Sequence, residues 1–475
     1  MINEAKLEEE FITLAVKEHG VDLAKVSGKR VERFARYSGL AFRCNMAGMI
    51  LGLDARGLSM RAADSPLLQW FLRISAIDKI KAPSKSAVDR FSRWISEAGL
   101  RRLNDKLMGL LALSPDAGQP APFKLKEAIG FDEMFFDATC LKANIHFPVD
   151  WVLLRDIART LMKATVLIRQ AGLKERMPQE PLAFLSEMNT LCMKMSAQRR
   201  HPDAKKRRKK VLREMKALEK RIAAHARSHR EALSERREET ELSEGQARVI
   251  IERIDTVLGQ LPAAIKQAHE RLIGGRQVAN EDKILSLYDK DISIIVRGKA
   301  EAEVEFGNKL WLGETREGLI ADYKLLRENP ADSALVRPAI ARVVDGMGLP
   351  LKIAWADRGV MSAAGVKVLD KRGIRSGLCP RDPEELAQRL VNEAGFREGM
   401  KRRASTEARI GIFKNVFVGQ PARAKSFEHR EQAVGNAVLA HNLWVLARLP
   451  QAEVGKPKVV TRPPPESPRE RRSAA

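Results

Sequence analysis

Met134-Phe135-Phe136-Asp137-Ala138-Thr139-Cys140-Leu141 is the stretch on which the reading of the fold turns. A short apolar run that passes into polar residues, too short for a helix of its own, reads as a buried strand. It continues into Ile145-His146-Phe147-Pro148-Val149-Asp150, a turn before another helix. A second run, Pro350-Leu351-Lys352-Ile353-Ala354-Trp355-Ala356, is a largely apolar strand that stops at Asp357-Arg358-Gly359. Segments 293–297 and 304–312 alternate like paired strands, and a short strand is expected around 377–379. Helices are expected over 333–344, 362–372, 396–417 and 433–449. Strands alternating with helices predict an α/β core.

Outward from that core the character changes. Residues 151–280 read as a helical insertion. Val211, Met215, Leu218, Ile222, His225 and His229 form one heptad-like seam, and Ile250, Ile254, Val257, Leu261, Ile265, Ala268 and Leu272 a second. Ser243-Glu244-Gly245 between them predicts an antiparallel helical hairpin, whose first arm opens on the basic run Lys205-Lys206-Arg207-Arg208-Lys209-Lys210. Phosphate binding is the preferred reading of that run, a solvated face the plainer one. The first 115 residues also read as helices. Asp64-Ser65-Pro66 looks like a helix start, and Ser84 caps a second short helix through Trp94. Two short helices joined by a basic loop fit a helix-turn-helix reader, and equally an ordinary helical subdomain. The break Ser114-Pro115-Asp116-Ala117-Gly118-Gln119-Pro120-Ala121-Pro122 reads as a linker. The division expected is therefore 1–122 as a helical N-terminal DNA-binding domain and 123–160 as the first part of the core. The insertion follows over 161–282, the second part of the core over 283–449, and a disordered basic tail over 450–475.

A net charge of +23, from 84 Lys and Arg against 61 Asp and Glu, calls for a polyanionic partner, most often nucleic acid. Aromatic residues make up only 5%, few for stacking on loose strands, so phosphate contact with duplex is expected. No apolar stretch approaches the ~18 residues of a membrane span, and the opening Met1-Ile2-Asn3-Glu4-Ala5 shows no export signal. Four cysteines, Cys44, Cys140, Cys192 and Cys379, lie far apart with no CxxC pair, which argues against a disulfide scaffold or zinc knuckle. A cytoplasmic protein is expected. There is no GxxxxGK[ST] loop and no HExxH.

The chemistry points to carboxylates. Asp137 and Asp357 end buried strands, and acids at strand ends are where Mg²⁺ or Mn²⁺ finds the hard oxygen ligands it prefers. Two such ions about 3.5–4 Å apart activate the attacking oxygen and stabilise the leaving one in phosphodiester cleavage. Glu407 lies in a basic helix. At 100° per residue, Met400, Arg403, Gly411 and Lys414 project within about 40° of it. That face presents two cations flanking one carboxylate, suited to holding phosphates beside a metal.

Arg403, Glu407 and Lys414 stand at the spacing R-(3)-E-(6)-K of the Y-(2)-R-(3)-E-(6)-K signature, and the chain resembles the DDE transposases of bacterial insertion sequences. Trp355-Ala356-Asp357-Arg358-Gly359 is similar to their second-Asp motif, and Phe136-Asp137-Ala138-Thr139 to their first. Thr406–Gly411 (Thr-Glu-Ala-Arg-Ile-Gly) resembles the segment around their Glu, and 61–91 their N-terminal domain. The resemblance covers roughly 50–160 and 283–449. It implies an RNase H-like mixed-sheet core interrupted by a large helical insertion, with Asp137, Asp357 and Glu407 as catalytic metal ligands for two Mg²⁺ ions. It implies DNA-phosphate contacts from Arg403, Lys414 and Arg409, and end recognition by the N-terminal helices through Lys85, Arg90 and Arg93. The partners implied are the element's terminal inverted repeats, target DNA, and a second copy in the synaptic complex. Two positions depart from the pattern: Met400 stands where the signature has Tyr, and Ala138 where Thr is frequent. Asp132 and Glu133 compete for the first-carboxylate role. Asp137 is preferred because it follows the apolar run directly. A nuclease or resolvase on the same core, and an inactive transposase-derived DNA-binding protein, are the alternatives.

Overall fold

The computed structural model describes residues 1–22, 27–75, 80–113, 121–146, 148–198, 202–299 and 302–452. Most of the expected linker and nearly all of the expected tail fall outside them. The chain is mixed α/β. Six helices come first: α1 (Leu7–Glu18), α2 (Gly28–Leu51), α3 (Ala55–Asp64), α4 (Pro66–Leu72), α5 (Lys85–Phe91) and α6 (Glu97–Ala112). Strand β1 (Glu133–Lys142) leads into α7 (Asp150–Gln170), α8 (Pro181–Ala197), α9 (Ala204–Glu235) and α10 (Glu244–His269). Then come β2 (Ser293–Lys299), β3 (Ala302–Thr315), β4 (Ile320–Leu326), α11 (Val336–Ile340), β5 (Ile353–Ala356) and α12 (Ala363–Asp370). The remaining elements are β6 (Arg375–Leu378), α13 (Pro383–Asn392), α14 (Phe396–Ile412) and α15 (Phe427–Leu446).

The sheet is mixed and six-stranded, with β1 at its centre. On one side β1 pairs antiparallel with β3, from Met134 opposite Thr315 to Lys142 opposite Gly307. On the other it runs parallel to β5, which in turn runs parallel to β6. The long β3 also pairs antiparallel with β2 and β4. Side chains alternate across the sheet. Phe136 stacks on Trp311 on one face, while Phe135 stacks on Trp355 on the other.

Strand β4 escapes the sequence reading. Asp322 and Lys324 interrupt its apolar pattern, yet the Asp322 side chain is fully buried, held by a bidentate pair of bonds from Arg342 at 2.7 and 2.8 Å.

The caps at Ser65 and Ser84 form as expected: their hydroxyls accept from the Leu68 and Ala87 amides, with Pro66 opening α4. Helix α5 packs mainly on α2 and α3. The helix pair expected to form a reader, α4 and α5, is therefore built around other partners. Nor do the first helices keep a core of their own. Their apolar side chains merge with those of β1, β3, β4 and α15 in one cluster. Asn104 on α6 ties this junction, donating to the carbonyls of Ile320 and Ala321 while its own oxygen accepts from Asn442 at 2.8 Å.

The insertion is a four-helix bundle, α7 to α10, with a separate apolar core. Both seams are inside it: Val211, Met215, Leu218, Ile222, Ile250, Ile254, Val257, Leu261 and Ala268 are buried. His229 is fully buried at the end of the first seam, its Nδ1 against the His225 carbonyl at 2.8 Å. Helix α7 lies wholly in the bundle, with Leu153, Leu154, Ile157 and Leu161 in its core. The insertion therefore starts near residue 150; the sequence boundary at 160 divided one continuous amphipathic helix. Ser243 and Gln246 form a reciprocal capping box that opens α10. The basic run at the start of α9 is largely exposed. The four cysteines are buried and none is in a disulfide. Among the described residues no helix is long and apolar enough to cross a membrane.

Candidate active site on β1 and at the end of β5

The last β1–β5 register pair is Phe136 with Ala356. One residue further on stand Asp137 and Asp357, side by side: Asp357 follows the last residue of β5, whereas Asp137, expected at a strand end, lies within β1, whose pairing with β3 carries it on to Lys142. Their proximity is felt. Burial and the charge of Asp357 push the Asp137 carboxyl up to about 7. The Ala138 amide, which donates to Asp137 Oδ1 at 2.7 Å, and the Arg403 guanidinium pull the other way. Asp332, paired with Lys309 at 2.6 Å, adds a smaller upward push. Asp357 Oδ1 accepts from the Val360 amide at 3.1 Å, which fixes the turn after β5. Of the competing acids, Asp132 lies just before β1, exposed, and Glu133 opens the strand opposite Ile353. Neither stands at the level of Asp357.

Helix α14 crosses this face of the sheet. Its first fastening is steric: Gly399 sits so close to Trp355 that an added Cβ would stand 2.1 Å from the ring. Phe396 closes the same cluster, and Met400 packs against it. The second fastening is polar. The Arg402 guanidinium lies 4.4 Å over the Phe135 ring, donates to Glu314 at 2.9 Å, and reaches the carbonyls of Thr315 and Arg316. Thr406 donates to the same Glu314 at 2.8 Å. With these residues turned to β1 and β3, Arg403 acts electrostatically on Asp137. Beyond the end of α14, Lys414 Nζ donates to Thr139 Oγ1 at 2.9 Å. Thr139 lies two residues after Asp137, on the same face of β1.

The sequence-derived residues are thus placed unequally. Asp137, Asp357, Arg403 and Lys414 converge on one stretch of β1. Glu407, exposed, lies on α14 one turn past Arg403. Among the described residues no three His, Cys, Asp or Glu side chains are grouped to hold a metal ion. Arg409 turns elsewhere: its guanidinium donates to the Arg316 carbonyl at 3.3 Å and lies against Gly318 in the β3–β4 turn. Lys85 and Arg93 border a groove between the N-terminal helices and the segment after α14, where Arg93 pairs with Asp89 at 2.9 Å. Arg90 is exposed outside that groove.

The fastening residues Gly399, Arg402, Thr406 and Glu314 were not found by sequence reasoning. Arg402 and Thr406 stand i, i+4 on one helix face, a spacing that does not reveal Glu314, their shared partner about ninety residues away. Gly399 gives a clean test. Alanine there overpacks a rigid indole and is expected to cost about 1–3 kcal/mol, read from the urea midpoint at unchanged m.

The donor set fits a hard divalent cation in one respect. Two adjacent carboxylates, one with its pKa raised by the other, are relieved by a cation between them, and Mg²⁺ commonly takes one or two carboxylates and completes its shell with water and substrate phosphate. Compared with family models, curated proteins and solved structures, the chain has no match.

Proposed function

We propose that the chain is a DDE-type transposase with an RNase H-like core, binding the ends of an insertion sequence and carrying out metal-dependent cleavage and strand transfer. The observation that carries this reading is the pairing of Asp137 with Asp357 on neighbouring parallel strands beneath the helix of Arg403 and Glu407. A sheet whose central strand is antiparallel to one neighbour and parallel to the other supports the same reading.

Asp137 and Asp357 would hold the cation, with Glu407 brought in from α14 as substrate binds. The bound cation supplies activation of an attacking oxygen and stabilisation of the leaving one. Because Asp137 ionises near 7, its proton must leave before the carboxylate can ligate. Arg403 holds that negative charge in place and offers a guanidinium to the scissile phosphate. Lys414, fixed on Thr139, meets a phosphate further along the same strand. Water would attack the phosphodiester at the element's end, freeing its 3′-hydroxyl and leaving the 5′-phosphate on the flanking DNA. That hydroxyl would then attack a target phosphodiester, joining to the target's 5′-phosphate and expelling the target's 3′-hydroxyl, with no covalent enzyme intermediate.

One observation favours a second reading, an inactive derivative that binds DNA: Met400, at the signature's Tyr position, packs against the Phe135–Trp355–Phe396 cluster. Cleavage and strand-transfer assays with Mg²⁺ on DNA flanking the gene, using wild type and Asp357→Asn, separate the readings. Cleavage and joining by wild type alone is the expected result. Cleavage without joining marks a nuclease, and binding with neither marks the inactive derivative.

A further inference from the structure

A groove of about 870 Å³ runs between the N-terminal helices and the segment that follows α14. It is bordered by Leu141, Asn415 and Val416, and so begins where the Thr139–Lys414 bond ends. Leu141 lies four residues beyond Asp137 on the same face of β1, ~13 Å along the strand.

The groove has two kinds of wall. Arg56, Lys85, Arg423 and Lys425 stand on its rim, all exposed, and none makes an ion pair among the described residues. Two acids lie on the same border. Asp54 caps α3 by accepting from the Gly57 amide, and Asp89 is engaged by Arg93. Arg430, also lining the groove, is spent on Asp289 and Asn308. The floor includes Ile50, Leu51 and Val416, apolar side chains left 37, 53 and 45% exposed. Four unpaired cations around an exposed aliphatic floor fit a ligand with a polyanionic backbone and apolar faces. A volume of this order takes a drug-sized ligand or a few nucleotides of one strand.

The geometry points to a binding site for single-stranded nucleic acid in this groove, which leads an unpaired strand end from the N-terminal helices to Asp137 and Asp357. The four cations contact phosphates, and the aliphatic floor takes sugar and base faces without reading sequence. This deepens the proposed function and rests on it for the strand's destination, though not for the binding itself.

The test is fluorescence anisotropy at several salt concentrations with a labelled ten-nucleotide oligo-dT, a duplex hairpin of the same length, and polyglutamate. The proteins are full-length wild type and two double variants, Arg56→Ala with Lys85→Ala and Arg423→Ala with Lys425→Ala. All four side chains are exposed, and unchanged melting temperatures verify folding. Each double variant is expected to lose about tenfold in oligo-dT affinity at low salt. Its salt slope should fall by about 1.4, or 0.7 per lost phosphate contact on a single strand, while hairpin affinity changes less than about threefold. Wild-type affinity for oligo-dT in both variants overturns the site. So does an equal loss for hairpin and oligo-dT, or polyglutamate binding in place of oligo-dT. If the variants lose oligo-dT while wild type cuts no DNA, the groove stands and the enzyme reading falls. If wild type cuts and the variants bind normally, only the groove falls.

Discussion

Asp357→Asn lowers metal-dependent strand cleavage by about 10³-fold or more while leaving DNA affinity within a few-fold of wild type. A carboxylate that holds a cation against the reacting phosphate supports several kcal/mol of transition-state stabilisation, and each 1.36 kcal/mol is a factor of ten in rate. The amide of Asn keeps the shape, and its oxygen can still accept from Val360, so the turn after β5 is preserved. The same substitution removes the charge that raises Asp137, whose carboxyl then ionises at lower pH. The pH profile of wild type follows from that coupling. Below about 7 Asp137 carries a proton that a cation must displace, so cleavage at limiting Mg²⁺ rises about tenfold per pH unit up to pH 7 and then levels. A flat profile from pH 5 to 8, measured at sub-saturating Mg²⁺, would contradict this assignment.

The helical bundle loses stability as pH rises from about 5 to 8, and Glu219→Gln removes most of that loss. Glu219 on α9 is fully buried among the bundle's apolar side chains, and the Ala158 backbone against its carboxyl lowers its pKa by less than that burial raises it. Burial pushes its carboxyl up to about 8, from an ordinary value of 4.5. Below 4.5 both folded and unfolded chains hold the proton, and ionisation costs the fold nothing. Between 4.5 and 8 the unfolded chain releases the proton while the folded one keeps it, so stability falls by about 1.4 kcal/mol per pH unit. The full effect is on the order of 5 kcal/mol. Asp137 contributes in the same direction from the other core, and comparison with Asp137→Asn separates the two. Melting curves at pH 5 and pH 8 read the effect. Equal pH dependence in wild type and Glu219→Gln would show that the carboxyl is not held protonated in the bundle.

The parts of this molecule legible in its sequence are those decided locally. Strands β1 and β5 were marked by apolar runs ending in aspartate, and the α9 and α10 seams by 3–4 spacing. The caps at Ser65 and Ser84 needed only near neighbours. What escaped depends on distant partners. β4 was hidden because Asp322 is paid for by Arg342 on another element. The fastening of α14 joins Arg402 and Thr406 to Glu314 about ninety residues away, and no periodicity reports such a pair. The break at 114–122 suggested an independent N-terminal domain, yet α6 and α15 share one core through Asn104 and Asn442. An apolar face looks the same in sequence whether it packs on its own domain or on the next. For the site, Asp357 was legible from a strand end and Asp137 from the apolar run before it, although β1 does not stop there but pairs with the distant β3 as far as Lys142; Arg409 lay on the expected helix and is turned to the β3–β4 turn.

Metal-specificity rescue tests the central claim most directly. Asp357→Cys replaces a hard oxygen ligand by a thiolate, which Mn²⁺ accepts more readily than Mg²⁺ does. If Asp357 holds the cation beside Asp137, this variant cleaves DNA poorly in Mg²⁺ and recovers a substantial part of wild-type cleavage in Mn²⁺, while Asp357→Ala recovers in neither. Equal loss in both metals for the Cys and Ala variants, or full activity of either variant in Mg²⁺, would contradict the assignment of Asp357 as a metal ligand.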